Sequence, residues 1–170
     1  MEYNVNKDKF SDGFSIDWFV WESVDTAHVY TDDVLKPMSQ SHMDAKLTST
    51  VFELSVPVAR YGTAYRTIDC SKCENVGQLL STIHAFYKTV IGDADIVDRI
   101  ADVNAGMDDY LKDVRANLSK GVVVTWANLI GSSEYMKGDE TTKDRRCSLS
   151  CSGLVRYEGI KGNMALELGS

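Results

Sequence analysis

The rhythm of apolar and polar positions changes several times along the chain, and each change predicts a different element. In Phe14-Ser-Ile-Asp-Trp18-Phe-Val-Trp21 the two kinds of residue first alternate and then become apolar on both faces, the pattern of a strand entering a core. Ser23 to Met43 mixes Asp, Ser and His with a break at Lys36-Pro37. It reads as a long irregular excursion with one helical turn near Asp32 to Leu35. From Lys46 to Val58 the residues Thr48, Thr50, Val51, Phe52, Leu54, Val56 and Val58 predict a second strand, with Pro57 marking its end or an exposed edge. Gly62 precedes a third short strand, Thr63 to Ile68.

The period then shifts to that of a helix. Asn75 is a suitable N-cap, Gln78 stands three residues on as its capping-box partner, and Val76, Leu79, Leu80, Ile83, Phe86, Tyr87 and Val90 recur at helical spacing up to Gly92. The expected helix runs from about Val76 to Ile91, with Leu80, Ile83 and Tyr87 buried. A second helical stripe, Ile96, Ile100, Val103, Met107, Leu111, Val114 and Leu118, spans Asp95 to Leu118, with Gly106 as a break or kink. Val122 to Ile130 is apolar on both faces and is expected to be the middle strand of the sheet. Gly131 to Arg146 is polar and reads as a mobile surface loop. Leu149 to Ile160 then returns through Lys161-Gly162-Asn163 to Met164 to Leu168 as a hairpin.

Strands, then helices, then strands indicate an α+β fold with a mainly antiparallel sheet, packed by one or two central helices and closed by a C-terminal hairpin. A polar N-terminal arm over residues 1–12 and a single domain over 13–170 are expected. The 170 residues, 44% of them apolar and 25% charged, suit one sizeable core. A formal charge of −7 works against nucleic acid or an anionic membrane as partner, since both reward clustered Lys and Arg. The densest basic group, Lys143, Arg145 and Arg146, is interrupted by Asp144 and reads as a solvated loop. The first residues carry no apolar leader and no stretch reaches bilayer-spanning length, so a cytoplasmic setting is expected.

Four cysteines carry the only chemistry that residue type and spacing suggest. Cys70-Ser-Lys-Cys73 and Cys147-Ser-Leu-Ser-Cys151 could supply four thiolates to a tetrahedral zinc ion, and a Cys-x2-Cys turn brings two sulfurs to the separation such a site needs. Cys147 and Cys151 fit less well, because on a strand they stand about 13 Å apart; only a turn would bring them to one ion. The bland alternative is four free thiols. A redox dithiol at Cys70 and Cys73 would need the pair to open a helix, whereas the helix begins after both. Asn75-Val-Gly-Gln-Leu-Leu-Ser-Thr-Ile-His-Ala-Phe-Tyr87, together with Tyr157-Glu-Gly-Ile and Leu166-Glu-Leu-Gly-Ser170, resembles segments of an uncharacterised domain family of fungal proteins and of large DNA viruses of algae and amoebae. About a quarter of the chain is involved. The resemblance implies no activity and no catalytic residues; it implies an intracellular setting, host cytoplasm or virion.

No nucleophile elbow, phosphate loop, dinucleotide fingerprint or His-Glu-x-x-His is present. Asp93, Asp95 and Asp98 lack the glycine and glutamate of a calcium loop and suit the first turn of a helix. His28, His42 and His84 are scattered. Trp18, Trp21 and Trp126 read as core, although a strand would turn Trp18 and Trp21 to opposite faces and expose one of them. The expected function is therefore a non-catalytic interaction module without cofactor, binding a protein partner or another copy of itself through a sheet edge or aromatic patch. The two alternatives are a zinc-stabilised module and an enzyme assembled from Cys73, His84 and nearby acids.

Overall fold

The structure is a computed structural model that describes residues 6–8, 14–47, 53–58, 65–92, 94–95, 115–127, 150–156 and 163–169. Among these residues it is an α+β arrangement of two sheets around one long helix. The larger sheet has the order β1-β7-β8-β5-β6, formed by β1 (Asn6–Asp8), β5 (Glu53–Pro57), β6 (Tyr65–Asp69), β7 (Ser150–Arg156) and β8 (Asn163–Gly169). The smaller one has the order β2-β3-β4, formed by β2 (Ser15–Asp17), β3 (His28–Thr31) and β4 (Val34–Pro37). All pairs are antiparallel except β5 with β8, which run parallel over Glu53–Ser55 and Asn163–Ala165. The expected C-terminal hairpin is β7 and β8, with a register shift between Cys151 and Gly153.

Helix α2 (Val76–Tyr87) organises the core. The side-chain oxygen of Asn75 accepts the Gln78 N–H at 2.9 Å, satisfying one of the donors that a helix start leaves without a partner. Gln78 reaches back one residue further than a capping box requires and accepts the Glu74 N–H at 2.7 Å. Val76, Leu79, Leu80, Ile83 and Tyr87 form its buried stripe, against Leu54, Val56, Met164 and Leu166 of the larger sheet and Ile16, Trp18 and Val29 from the smaller sheet's side of the core. The Tyr87 hydroxyl donates to the Pro57 carbonyl at 2.8 Å, tying the helix end to the end of β5. Short helix α1 (Gln40–Met43) sits so close to α2 that a Cβ on Gly77 would stand 3.2 Å from the Cβ and the carbonyl oxygen of Met43.

Several expectations need correction. The helix ends at Tyr87 rather than near Ile91. The β-branched run that follows leaves Val90 exposed and bridged to Thr125. Ser23 to Met43 is not irregular: it holds a 3-10 turn (Val24–Thr26), β3, β4 and α1, and Asp32 and Asp33 form a turn rather than helix. Of the expected central strand Val122 to Ile130, the described residues 122–127 do not form the sheet centre: 122–124 are irregular, 126–127 helical and Val123 is 68% exposed, with only Val124, Trp126 and Ala127 buried among them. That central place belongs to β8. Pro57 does end its strand, but β5 is interior; β8 pairs only with Glu53–Ser55, so the missing N–H falls past that ladder. Most of Asp95 to Leu118 and all of Gly131 to Arg146 lie outside the described residues.

Candidate functional site

Two places could carry function: the cysteine turn ahead of α2 and the outer edge of the smaller sheet. Cys70 to Cys73 closes a tight turn, with the Cys73 N–H donating to the Cys70 carbonyl at 2.9 Å. Asp69 fastens its start by accepting the Ser71 N–H at 2.9 Å. The hydrogen bonds from Ser71, helped by Lys72, hold the Asp69 carboxyl below the usual carboxylate range. Cys70 is buried. Desolvation, reinforced by Cys73 and Asp69, pushes its thiol from 9.0 up to about 12.

Cys73 is half-buried, its sulfur 3.4 Å from Thr82 Oγ1. Thr82 commits its single hydroxyl proton to the Gln78 carbonyl at 2.8 Å. The contact with sulfur is therefore made by the Cys73 S–H as donor. Burial holds the Cys70 thiol protonated, the opposite of what a nucleophilic or redox-active cysteine requires.

The remaining sequence-predicted residues do not gather here. Cys151 lies on β7 and pairs with Leu168 near the far end of β8, whereas Cys70 follows Asp69, which is level with Glu53 and Asn163 at the start of β8. Three strand spacings separate β7 from β6, about 14 Å across the sheet, and five residues of strand rise add about 17 Å along it. The register thus does not bring Cys151 to the first pair, and Cys147 lies outside the described residues. No three His, Cys, Asp or Glu side chains converge on one point among the described residues.

His84 donates its Nδ1 proton to the Val20 carbonyl at 3.0 Å and packs by Trp18. On α2 it falls on the opposite flank of the buried stripe from Thr82, which Cys73 touches, so core side chains separate the two. An open cleft of about 660 Å³ lies beside Cys73, lined by Met43, Asp44, Asp69, Lys72, Gln78 and Thr82 among others. Several of its polar groups are already engaged in fastening helix ends: Gln40 donates to Asp44 at 2.9 Å, and Asn75 and Gln78 cap α2. Trp18 is buried, its indole N–H shared between the carbonyls of Glu22 and Ser23 at 3.3 Å each, and Trp21 is half-buried against the core.

The other place is β4, which sequence reasoning missed. Asp32 and Asp33 have φ of 50° and 61°, the left-handed pair of a type I′ hairpin turn. Thr31 and Val34 close that turn as a hydrogen-bonded pair, so bonded and non-bonded pairs alternate down the hairpin. The Met38 N–H donating to the Ala27 carbonyl at 2.9 Å fixes the same phase at the other end. Leu35 consequently directs both its N–H and its carbonyl away from β3, and so does the Pro37 carbonyl. Among the described residues no strand lies on that side. Every residue of β4 is exposed, and Leu35 (46%) stands directly across from Tyr30 (44%) on the outer face, with Val34 (60%) on the other. The missed signal was Thr-Asp-Asp-Val between His-Val-Tyr and Leu-Lys-Pro, a two-residue turn between strand-forming residues.

No protein-family model, curated protein or solved structure matches this chain.

Proposed function

We propose that this chain is a small non-catalytic interaction module that recognises protein through the β4 edge of its smaller sheet. The observation that carries this reading is the coincidence, on the same short hairpin, of a main-chain donor and acceptor at Leu35 that no described strand pairs and the exposed apolar side chains of Tyr30, Val34 and Leu35. An edge with those groups accepts a further strand: the main chain supplies attraction and alternate side chains supply selectivity. Lys36 and Pro37 restrict what can be added, since Pro37 offers no donor and Lys36 disfavours a cationic neighbour. The contact of the Cys73 sulfur with Thr82 and its separation from His84 weigh against the enzyme alternative. The register of Cys151 weighs against a four-cysteine zinc site.

The test compares immobilised wild-type protein with a Tyr30→Ser, Leu35→Lys double variant, both folded by thermal melting. Proteins retained from an extract of the source cells are quantified by mass spectrometry. A set of proteins, this chain itself included, should be retained by the wild type and depleted at least about tenfold on the variant, as loss of central interface anchors requires. Identical retention on both would sink the proposal.

A further inference from the structure

We infer that the strand added to β4 is β4 of a second copy of this chain, antiparallel and related by a twofold axis at Leu35. This rests on the reading of β4 as a recognition edge and names its occupant. An unrelated extended peptide would find one donor here, the Leu35 N–H, and acceptors at Leu35 and Pro37. Under a twofold axis, the one residue that offers both groups meets itself. Each Leu35 N–H donates to the other Leu35 carbonyl, and the central pair is fully matched. Pro37, the residue without a donor, then faces the turn residue Asp33 of the other copy rather than a strand position that needs one.

Charge follows the same symmetry. Along the hairpin the order is Asp32, Asp33, Val34, Leu35, Lys36: acidic at the tip and basic past the centre. Antiparallel pairing about Leu35 places each Lys36 opposite Val34 and diagonal to Asp32 of the other copy, within reach of the acidic tip. The two lysines extend away from the axis toward opposite tips. A parallel arrangement would instead set acid beside acid and lysine beside lysine. On the outer face the pairing aligns Tyr30, Leu35, Leu35 and Tyr30 in one apolar row across the joined sheets, covering the surface that a lone chain leaves to water.

A strand of four residues buries less than the roughly 1,000 Å² of a lasting interface, so the pair is a transient one. Sedimentation equilibrium on the purified full chain from about 10 to 500 μM should show the average mass rising from 18.9 kDa toward twice that value. Leu35→Pro removes a donor that faces away from β3, together with the exposed leucine side chain, and leaves the hydrogen bonds to β3 in place. It should weaken association by roughly tenfold or more, with an unchanged melting profile. Leu35→Cys, treated with oxidised glutathione, should give an inter-chain bridge between the two copies at position 35, because facing residues of a hydrogen-bonded pair stand about 5.5 Å apart at Cα.

A wild-type chain that stays at single-chain mass throughout, a Leu35→Pro variant that associates as strongly as wild type, or bridging at position 35 only to other cysteines would each overturn the second-copy assignment. Should Leu35→Pro fail to fold, the position of the bridge decides. A monomeric chain that still retains edge-dependent proteins from extract overturns this inference alone, whereas loss of that retention removes the recognition reading as well.

Discussion

β3 and β4 are joined by two residues and pair along their whole length, yet they have opposite fates. β3 sends Val29 fully into the core, whereas no residue of β4 is buried. The difference lies in what stands behind each strand. β3 is flanked by β2 on one side and β4 on the other, with the core residues Ile16 and Trp18 near its inner face. Among the described residues β4 has only β3 as a neighbour, and none of its side chains is buried. Burial of an apolar side chain contributes to stability in proportion to the area withdrawn from water. Val29 therefore reports on folding, and Leu35, on the proposed reading of β4, reports on association.

The comparison is broken most forcefully from the buried side. Leu80→Ala, on the stripe of α2, should lower stability by about 2 to 5 kcal/mol, the range for large-to-small changes in cores. An unchanged denaturation midpoint would show that α2 does not organise the core. Tyr87→Phe should cost about 1 to 2 kcal/mol, because the buried Pro57 carbonyl loses its donor. Asn75→Ala should cost about 1 kcal/mol through loss of the cap, read as a lower midpoint in urea. Leu35→Thr, by contrast, should stay within about 0.5 kcal/mol of wild type while weakening association; a large loss of stability would mean that β4 is structural after all.

The smallest effect concerns Cys70. Its thiol holds its proton more tightly in the folded chain than in the unfolded one. Between about pH 9 and about pH 12 the unfolded state therefore binds fewer protons, and stability falls as pH rises. Unfolding curves at pH 8 and pH 10.5 should diverge more for wild type than for Cys70→Ala; equal divergence would show that Cys70 is not desolvated. At neutral pH, an alkylating reagent should modify Cys73 before Cys70.

What the sequence made legible was whatever depends on local periodicity. The α2 stripe, its Asn75 cap, the β5 and β6 region and the C-terminal hairpin all announce themselves within a dozen residues. Three features did not. The β3–β4 hairpin hid because its turn is Asp32-Asp33 rather than a glycine-containing pair, and Asp tolerates positive φ without advertising it. Val122 to Ile130 misled because continuous apolar character does not distinguish a strand from an irregular segment; Val122 and Val123 are exposed while Val124 anchors. The distance between the cysteine pairs was not legible because spacing within each pair says nothing about it; the order of strands sets where Cys151 stands relative to Cys70. For the candidate site, Leu35 depends on hairpin phase, and phase is visible only once the turn is known.

The parallel pairing of β5 with β8 bears on how the chain is made. Glu53 meets Asn163, which the ribosome delivers about 110 positions later, so the larger sheet cannot close its centre until β8 has emerged. The smaller sheet needs only Ser15 to Pro37 and is complete much earlier. During that interval β5 presents an open ladder that any extended chain nearby can template upon, while the β4 edge is already formed. Biogenesis should accordingly be most vulnerable to aggregation when synthesis is slowed between β6 and β8.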